Sequence, residues 1–288
     1  MIARSLWWLM FGLYGRIVPF AAARYIAYPV AWIASILRIR RAVVDRNLGL
    51  AFRDVAGSDR RRLARRALRN VATVLLEIPI LPYLSQARLG RVMTFENLDL
   101  VSGPSATGLI LLSAHIGNWE LLALGAGAQS GRPSTIVVKD QRDHGLLNRI
   151  RTSRGNRVVS TSHALRELMS VLSAGGTAAL LADQSAAPPD PVVPFFDIPT
   201  HFFSTPARMA LRYRSRVVLG FAVRQPNGTY RAGLTELRHD DLDDTPDGRL
   251  TFTQRYAAAL HATILAHPEQ WMWTHRKWKQ SPGISYDN

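Results

Sequence analysis

From residue 108 onward, short and wholly apolar runs alternate with helix-length segments, and that rhythm leaves few folds open to the chain. Residues 108–114 (GLILLSA) and 177–182 (TAALLA) are apolar on both faces, as strands buried inside a parallel sheet are. Further strands are expected over 92–98, 134–138, 157–159, 217–223 and 229–234. Helices are expected over 119–128, 146–154, 163–173, 204–214 and 250–266. Gly175-Gly176 stops one helix, and Pro226-Asn227-Gly228 turns one strand into the next. The pattern predicts an α/β fold: a central, mostly parallel sheet flanked by helices.

The N-terminal segment differs in kind. Residues 6–14 and 17–37 are apolar and aromatic, interrupted by Arg16, Pro19, Arg24 and Pro29. The longest charge-free stretch, residues 25–37, is shorter than the ~20 residues of a spanning helix. A secretory signal would give way to a cleavage site and a soluble composition, whereas here the apolar pattern runs on past Ala21, Ala22 and Ala23. Helices lying in, or dipping into, one leaflet fit this pattern. A true span and an ordinary buried helix pair are the alternatives.

Behind it comes a strongly basic stretch. Residues 38–70 hold eleven arginines against Asp45, Asp54 and Asp59. Leu63, Leu68, Val71, Leu75 and Leu76 recur at roughly helical spacing, with Ser58-Asp59 as the start. A basic helix beside apolar ones reads either as a collar facing lipid headgroups or as a solvated charged face. The formal net charge of +15 calls for an anionic partner: nucleic acid, lipid headgroups or an acidic carrier protein. The chain has no cysteine, which excludes disulfides, thiolate nucleophiles and Cys-based zinc sites. His201, His239, His261 and His267 lack metal-ligand spacing, and no HExxH, P-loop or GxGxxG motif is present.

Chemistry is expected where the strand over 108–114 ends, because sites in open α/β sheets form at the carboxyl ends of strands. His115 stands there, Gly117 and Asn118 make the turn, and Trp119 and Glu120 open the next helix. On one continuous helix His115 and Glu120 would point about 140° apart. A strand–turn–helix junction removes that obstacle and lets Glu120 approach the His115 ring. A neutral imidazole takes a proton from a hydroxyl, while a carboxylate on its other nitrogen fixes the tautomer. The helix N-terminus offers N–H groups to an oxyanion. By itself His-x4-Glu is a weak motif, equally at home in a structural histidine.

Several blocks, in order, resemble the lipid A lauroyl/myristoyl acyltransferases and their relatives, including phosphatidylinositol mannoside acyltransferases. They are Arg46-Asn47-Leu48 with Ala51-Phe52, the AHIGNWE of residues 114–120, NRIRTSRGNR of 148–157, Leu181-Ala182-Asp183-Gln184, Pro194-Phe195-Phe196 with STPARMAL, and PEQWMWTHRKWK of 268–279. The resemblance implies a glycerolipid-acyltransferase-like α/β fold with an apolar N-terminal helical membrane anchor. Residues 1–40 would be membrane-associated helices and 41–288 the acyltransferase domain. It implies His115 as general base and Glu120 as the group that orients it. Arg154 would bind an anionic group, Asp183 would be a second acidic site residue paired with Arg154, and Asn118 would shape the turn or the acyl entrance. The donor would be an acyl carrier protein or coenzyme A thioester, so no cofactor is needed. The acceptor would be a hydroxyl of a lipid A precursor or lysolipid at the cytoplasmic face of the inner membrane.

One departure bears on the acceptor. After Asp183-Gln184 the chain reads SAAPPDP, where the family is expected to have a glycine-bearing loop. Two other readings stand beside the enzyme: a catalytically inactive lipid-binding protein, and a basic nucleic-acid-binding protein. Retention of His115 and Glu120 speaks against the first. The apolar N-terminus and the lack of a recognised module speak against nucleic acid as partner. Trp271, Trp273, His275, Arg276, Lys277, Trp278 and Lys279 form an aromatic and basic cluster that suits a membrane interface, base stacking or plain core packing.

Overall fold

A computed structural model describes residues 2–103, 107–138, 145–162 and 164–286, with side chains from residue 10 onward and without that of Leu146. Lys139 and His163, the expected first residue of one helix, lie outside the described residues.

Four helices come first: α1 (Ile2–Ile17), α2 (Phe20–Ile36), α3 (Arg41–Ala51) and α4 (Gly57–Glu77). Phe20, Ala23, Ala27 and Ala31 form the buried stripe of α2. Three of them are alanines, and such small side chains let α2 lie close against Ala72 of α4. The opposite face of α2 is exposed and carries Tyr25, Tyr28, Trp32 and Ile36. No single helix here is long and apolar enough to cross a membrane, but α2 and α3, bent by 93° at their junction, pass that test as a pair by length and composition.

The rest is the sheet and its cover. In chain order the elements are α5 (Gln86–Val92), β1 (Met93–Glu96), β2 (Leu109–Ser113), α6 (Trp119–Ser130), β3 (Ser134–Val138), α7 (Gly145–Thr152), β4 (Arg157–Ser160), α8 (Ala164–Ser173) and β5 (Thr177–Leu181). There follow β6 (Val192–Phe195), β7 (Ile198–His201), α9 (Thr205–Tyr213), β8 (Arg216–Arg224), β9 (Tyr230–Glu236) and α10 (Pro246–Ala266). Seven strands pair in the order β1-β9-β8-β2-β5-β3-β4. All neighbours are parallel except β8 and β9. That exception follows from Pro226-Asn227-Gly228, since so short a link can only reverse the chain.

Every residue of β2 is buried, and this central strand runs between β8 and β5. Its carboxyl end therefore emerges mid-sheet, flanked by the end of β5. The β6–β7 hairpin and α5 were not expected from the sequence. Pro194 and Pro199 interrupt the strand pattern of the hairpin, and α5 is only seven residues long.

Candidate active site

The chain leaves β2 at Ser113 and turns through 114–118 into α6. Three contacts fix that turn. The N–H of Gly117 donates to Gln270 O at 2.9 Å, that of Asn118 to Ala222 O at 3.2 Å, and that of Met272 to His115 O at 3.0 Å. Gly117 has φ +55, and a Cβ there would collide with the carbonyl oxygen of Ala222, so the turn requires glycine at this point.

His115 meets a carboxylate, and that carboxylate is Asp183. Its Nδ1 lies 2.7 Å from Asp183 Oδ1, and its backbone N–H donates to Oδ2 at 3.0 Å. The indole N–H of Trp271 donates to the same Oδ2 at 2.9 Å. Asp183 is 3% exposed and His115 14%, so the carboxylate is sealed in while the imidazole keeps an opening. Burial alone would push the Asp183 carboxyl up. The charge and hydrogen bonds of His115 and the Trp271 indole outweigh it and hold the group at about 2. With Nδ1 occupied by Asp183, Nε2 is the ring atom left for chemistry. The Gln184 amide nitrogen stands 3.4 Å from it, and the Trp119 ring meets the imidazole edge-on at 4.9 Å.

The expectation that Glu120 approaches the His115 ring is corrected by this geometry. Glu120 is buried and gripped through both oxygens by Arg151 of α7, at 2.8 Å and 2.5 Å. It lines, with Arg151 and Trp119, a narrow cavity of about 40 Å³ whose other walls include Leu111, Ile136 and Leu180. Arg154 is likewise not at Asp183. It donates to the carbonyl of Leu84 and, at 3.3 Å, to Gln86 Oε1, so it ties the loop after α7 to the start of α5. Arg151, three residues earlier in the same arginine-bearing block, is the one beside Glu120.

Asn118 is fully buried and faces no opening. Its side-chain oxygen caps α6 by accepting from Leu121 N at 2.9 Å, and its amide donates to Glu77 Oε2 at 2.9 Å. Glu77, at the end of α4, also accepts from Tyr230 OH at 2.5 Å and faces Arg224 at 3.4 Å. Burial pushes its carboxyl up against the pull of Arg224, Tyr230 and Asn118. Sequence reasoning missed Glu77, although a lone acid closing the apolar run VATVLL is a legible signal. It also missed Arg151 and the bond from Trp271, which no local pattern announces.

Within the C-terminal cluster the three tryptophans and Lys277 belong to the core, His275 and Arg276 are half-buried, and Lys279 is exposed. Trp271, Trp273 and Trp278 are buried among Phe195, Phe196 and Phe202. Lys277 is buried with them, its Nζ 3.6 Å from the Phe202 ring centre and donating to the carbonyls of Gln184 (3.2 Å) and His201 (3.3 Å). Among the described residues no group of three or more His, Cys, Asp or Glu side chains is placed to hold a metal ion.

A partly open histidine backed by a sealed carboxylate stands at the carboxyl end of a central parallel strand, where sites in α/β proteins form, and such a pair can accept a proton. Residues 2–280 match the family model described as bacterial lipid A biosynthesis acyltransferase, and the chain belongs to that family of acyltransferases. It is similar to a lipid A biosynthesis acyltransferase of Haemophilus influenzae, 24% identical over 96% of this chain and 91% of the relative. It is also similar to the lipid A biosynthesis lauroyltransferase of Escherichia coli, 24% identical over 85% of this chain and 81% of the relative.

Proposed function

We propose that this acyltransferase moves a fatty acyl chain from a thioester, on acyl carrier protein or coenzyme A, to a hydroxyl of a lipid A precursor or lysolipid. His115 acts as general base. Asp183 holds the Nδ1–H tautomer and stabilises the imidazolium, while Nε2 accepts the proton of the acceptor hydroxyl. The hydroxyl oxygen attacks the thioester carbonyl, the tetrahedral intermediate collapses, and the thiol leaves with the proton that His115 took up. The thioester is already activated, so no covalent acyl-enzyme is required. The observation that carries this reading is the 2.7 Å contact between His115 Nδ1 and Asp183, which leaves Nε2 as the outward ring nitrogen.

Among the described residues the N–H groups of Trp119 and Glu120, at the open end of α6, are left without an acceptor. They suit an oxyanion forming next to His115. The narrow cavity beside the Glu120–Arg151 pair, apolar along Leu111, Ile136 and Leu180, suits the start of an acyl chain. The exposed aromatic face of α2 supports a monotopic or peripheral seat on the cytoplasmic face of the inner membrane.

The test is acyl transfer by the detergent-solubilised protein, offered a mixed lipid extract with labelled acyl carrier protein or labelled acyl-coenzyme A. An acylated lipid formed by the intact protein and missing with His115→Ala is the expected result, and it identifies donor and acceptor together. A folded, membrane-bound protein that yields no product from either donor would overturn the reading in favour of a lipid-binding role.

A further inference from the structure

A second cleft, of about 630 Å³, opens between α2, α4 and the turn that follows β8. Its walls hold Arg24, Arg66, Arg69 and Arg224 against one carboxylate, Glu269. Arg66 lies 3.4 Å from Glu269, and Arg224 is turned toward Asn70 and Glu77. Among the described residues Arg24 donates only to neutral oxygens, Pro226 O and Tyr25 OH. Arg69 sits over the Tyr28 ring, 4.4 Å from its centre, and forms no ion pair among the described residues. The arginines continue along α4 into an adjoining cleft of about 310 Å³, which shares Tyr28, Arg66 and Arg69 and adds Arg62, Arg65 and Trp32. Cations brought together in a concave surface repel one another unless an anion joins them, and guanidinium groups match phosphate oxygens in pairs.

The rim says what carries the anion. Tyr25, Tyr28, Trp32 and Ile36 follow one another at i, i+3, i+7 and i+11, so they form a single exposed stripe along α2 beside the arginine-lined clefts. A phosphate at the arginines would thus have an apolar and aromatic surface next to it, the layering of a lipid headgroup above its chains.

We propose that the cleft between α2 and α4 binds the phosphoryl group of an anionic lipid headgroup, with the α2 stripe set in the adjoining apolar zone. The proposal rests on the membrane-facing part of the reading above, but its test requires no turnover. The site also adjoins the catalytic turn: Gln270, on the cleft wall, accepts the Gly117 N–H, and Arg224 connects through Glu77 to Asn118.

The experiment measures flotation of the full chain with vesicles of phosphatidylcholine alone and of equimolar phosphatidylcholine and phosphatidic acid. Wild type is compared with Arg66→Gln/Arg69→Gln, with Arg69→Lys, and with Arg157→Gln/Arg166→Gln, which removes equal charge from exposed positions on β4 and α8. The expected result is a preference for the anionic vesicle that falls roughly thirtyfold in the double variant. It also falls clearly in Arg69→Lys, which keeps the charge but not the paired geometry, and holds in the Arg157/Arg166 control. His115→Ala, expected to abolish transfer, should keep the preference, so loss of the enzymatic reading would not remove this one. Equal losses in the control, or no loss in Arg69→Lys, would mean diffuse attraction and overturn the site. Displacement by inorganic phosphate with no vesicle preference would assign the cleft to free phosphate instead. Unchanged vesicle binding with weakened binding of an acidic carrier protein would assign it to that partner.

Discussion

Nδ1 of His115 lies 2.7 Å from Oδ1 of Asp183, although 68 residues separate the two in sequence. The pairing arises because β2 and β5 are adjacent parallel strands, so their carboxyl ends deliver both residues to one point. Asp183→Asn keeps the shape but loses the carboxylate that selects the Nδ1–H tautomer. Its kcat should fall by about 10³- to 10⁴-fold with little change in KM. Glu120→Gln should instead act mainly through the Arg151 contact and the donor KM. Steady-state kinetics on both variants separates the two carboxylates. Near-normal kcat in Asp183→Asn, with kcat lost in Glu120→Gln, would return the orienting role to Glu120.

The same contact has a signature in acid. Asp183 sits at about 2 when folded, below its ordinary 3.8. Between these values the unfolded chain binds the proton that the folded one refuses, so stability rises with pH across that window. The stabilisation is fully present above about pH 4 and is lost as pH falls toward 2, a change of roughly 2 kcal/mol. Denaturant melts across this range should show the slope in the wild type and a flatter one in Asp183→Asn.

How much of this could be read beforehand depends on whether the controlling interaction is local. The strand over 134–138 is fixed by its own apolar run and appears with those bounds. The turn at Gly117-Asn118 is legible from its own glycine and helix-capping asparagine, and the sequence places it correctly, although distant contacts to Ala222, Gln270 and Met272 hold it. The identity of the His115 partner is not local. It depends on which strands become neighbours, and the His-x4-Glu spacing drew attention to the nearer carboxylate. Arg151 and Arg154 differ by three residues, about one helical turn less 60°, so a helix boundary decides which of them points at Glu120. The buried tryptophans show the same limit. A run such as WMWTHRKWK carries no period that distinguishes core from interface, and only the β6–β7 hairpin packed over it settles the matter.

Gly117→Ala should be among the most damaging small substitutions in the chain. The added methyl would overlap the Ala222 carbonyl oxygen, a backbone atom that cannot swing away, and φ +55 adds strain for any residue with a Cβ. The turn must shift, and His115 moves with it. We expect activity to drop by more than the melting temperature suggests, as a comparison of kcat with thermal unfolding would reveal. Wild-type kcat in this variant would mean that the turn does not set the position of His115.

Glu77 tests support of that turn from below. Its carboxylate holds Asn118, Tyr230 and Arg224 at once. Glu77→Ala leaves the buried Tyr230 hydroxyl and Asn118 amide without their acceptor and the half-buried Arg224 with Asn70 alone, and should cost about 2–4 kcal/mol. Glu77→Gln keeps an acceptor for Asn118 and should retain more stability. If chemical denaturation finds the two variants alike and mild, the network is not anchored on this carboxylate.

Lys277 offers a second titration, with its own sign. Burial lowers its ammonium from the ordinary 10.5 to about 7, against the pull of Asp183. Between pH 7 and 10.5 the unfolded chain therefore keeps a proton that the folded chain has released, and stability rises with pH through that window. Below pH 7 both states are protonated, the slope disappears, and the folded protein carries a buried cation held by two carbonyls and the Phe202 and Phe195 rings. Lys277→Met keeps the apolar stem and removes the titrating group. Unfolding free energies measured from neutral to alkaline pH should rise on the order of a few kcal/mol in the wild type, relative to the variant. The difference is specific to the amine, because groups common to both proteins cancel in it. Parallel curves would show that Lys277 titrates normally in the folded state, and that the opening beside Gln184 admits more water than its packing implies.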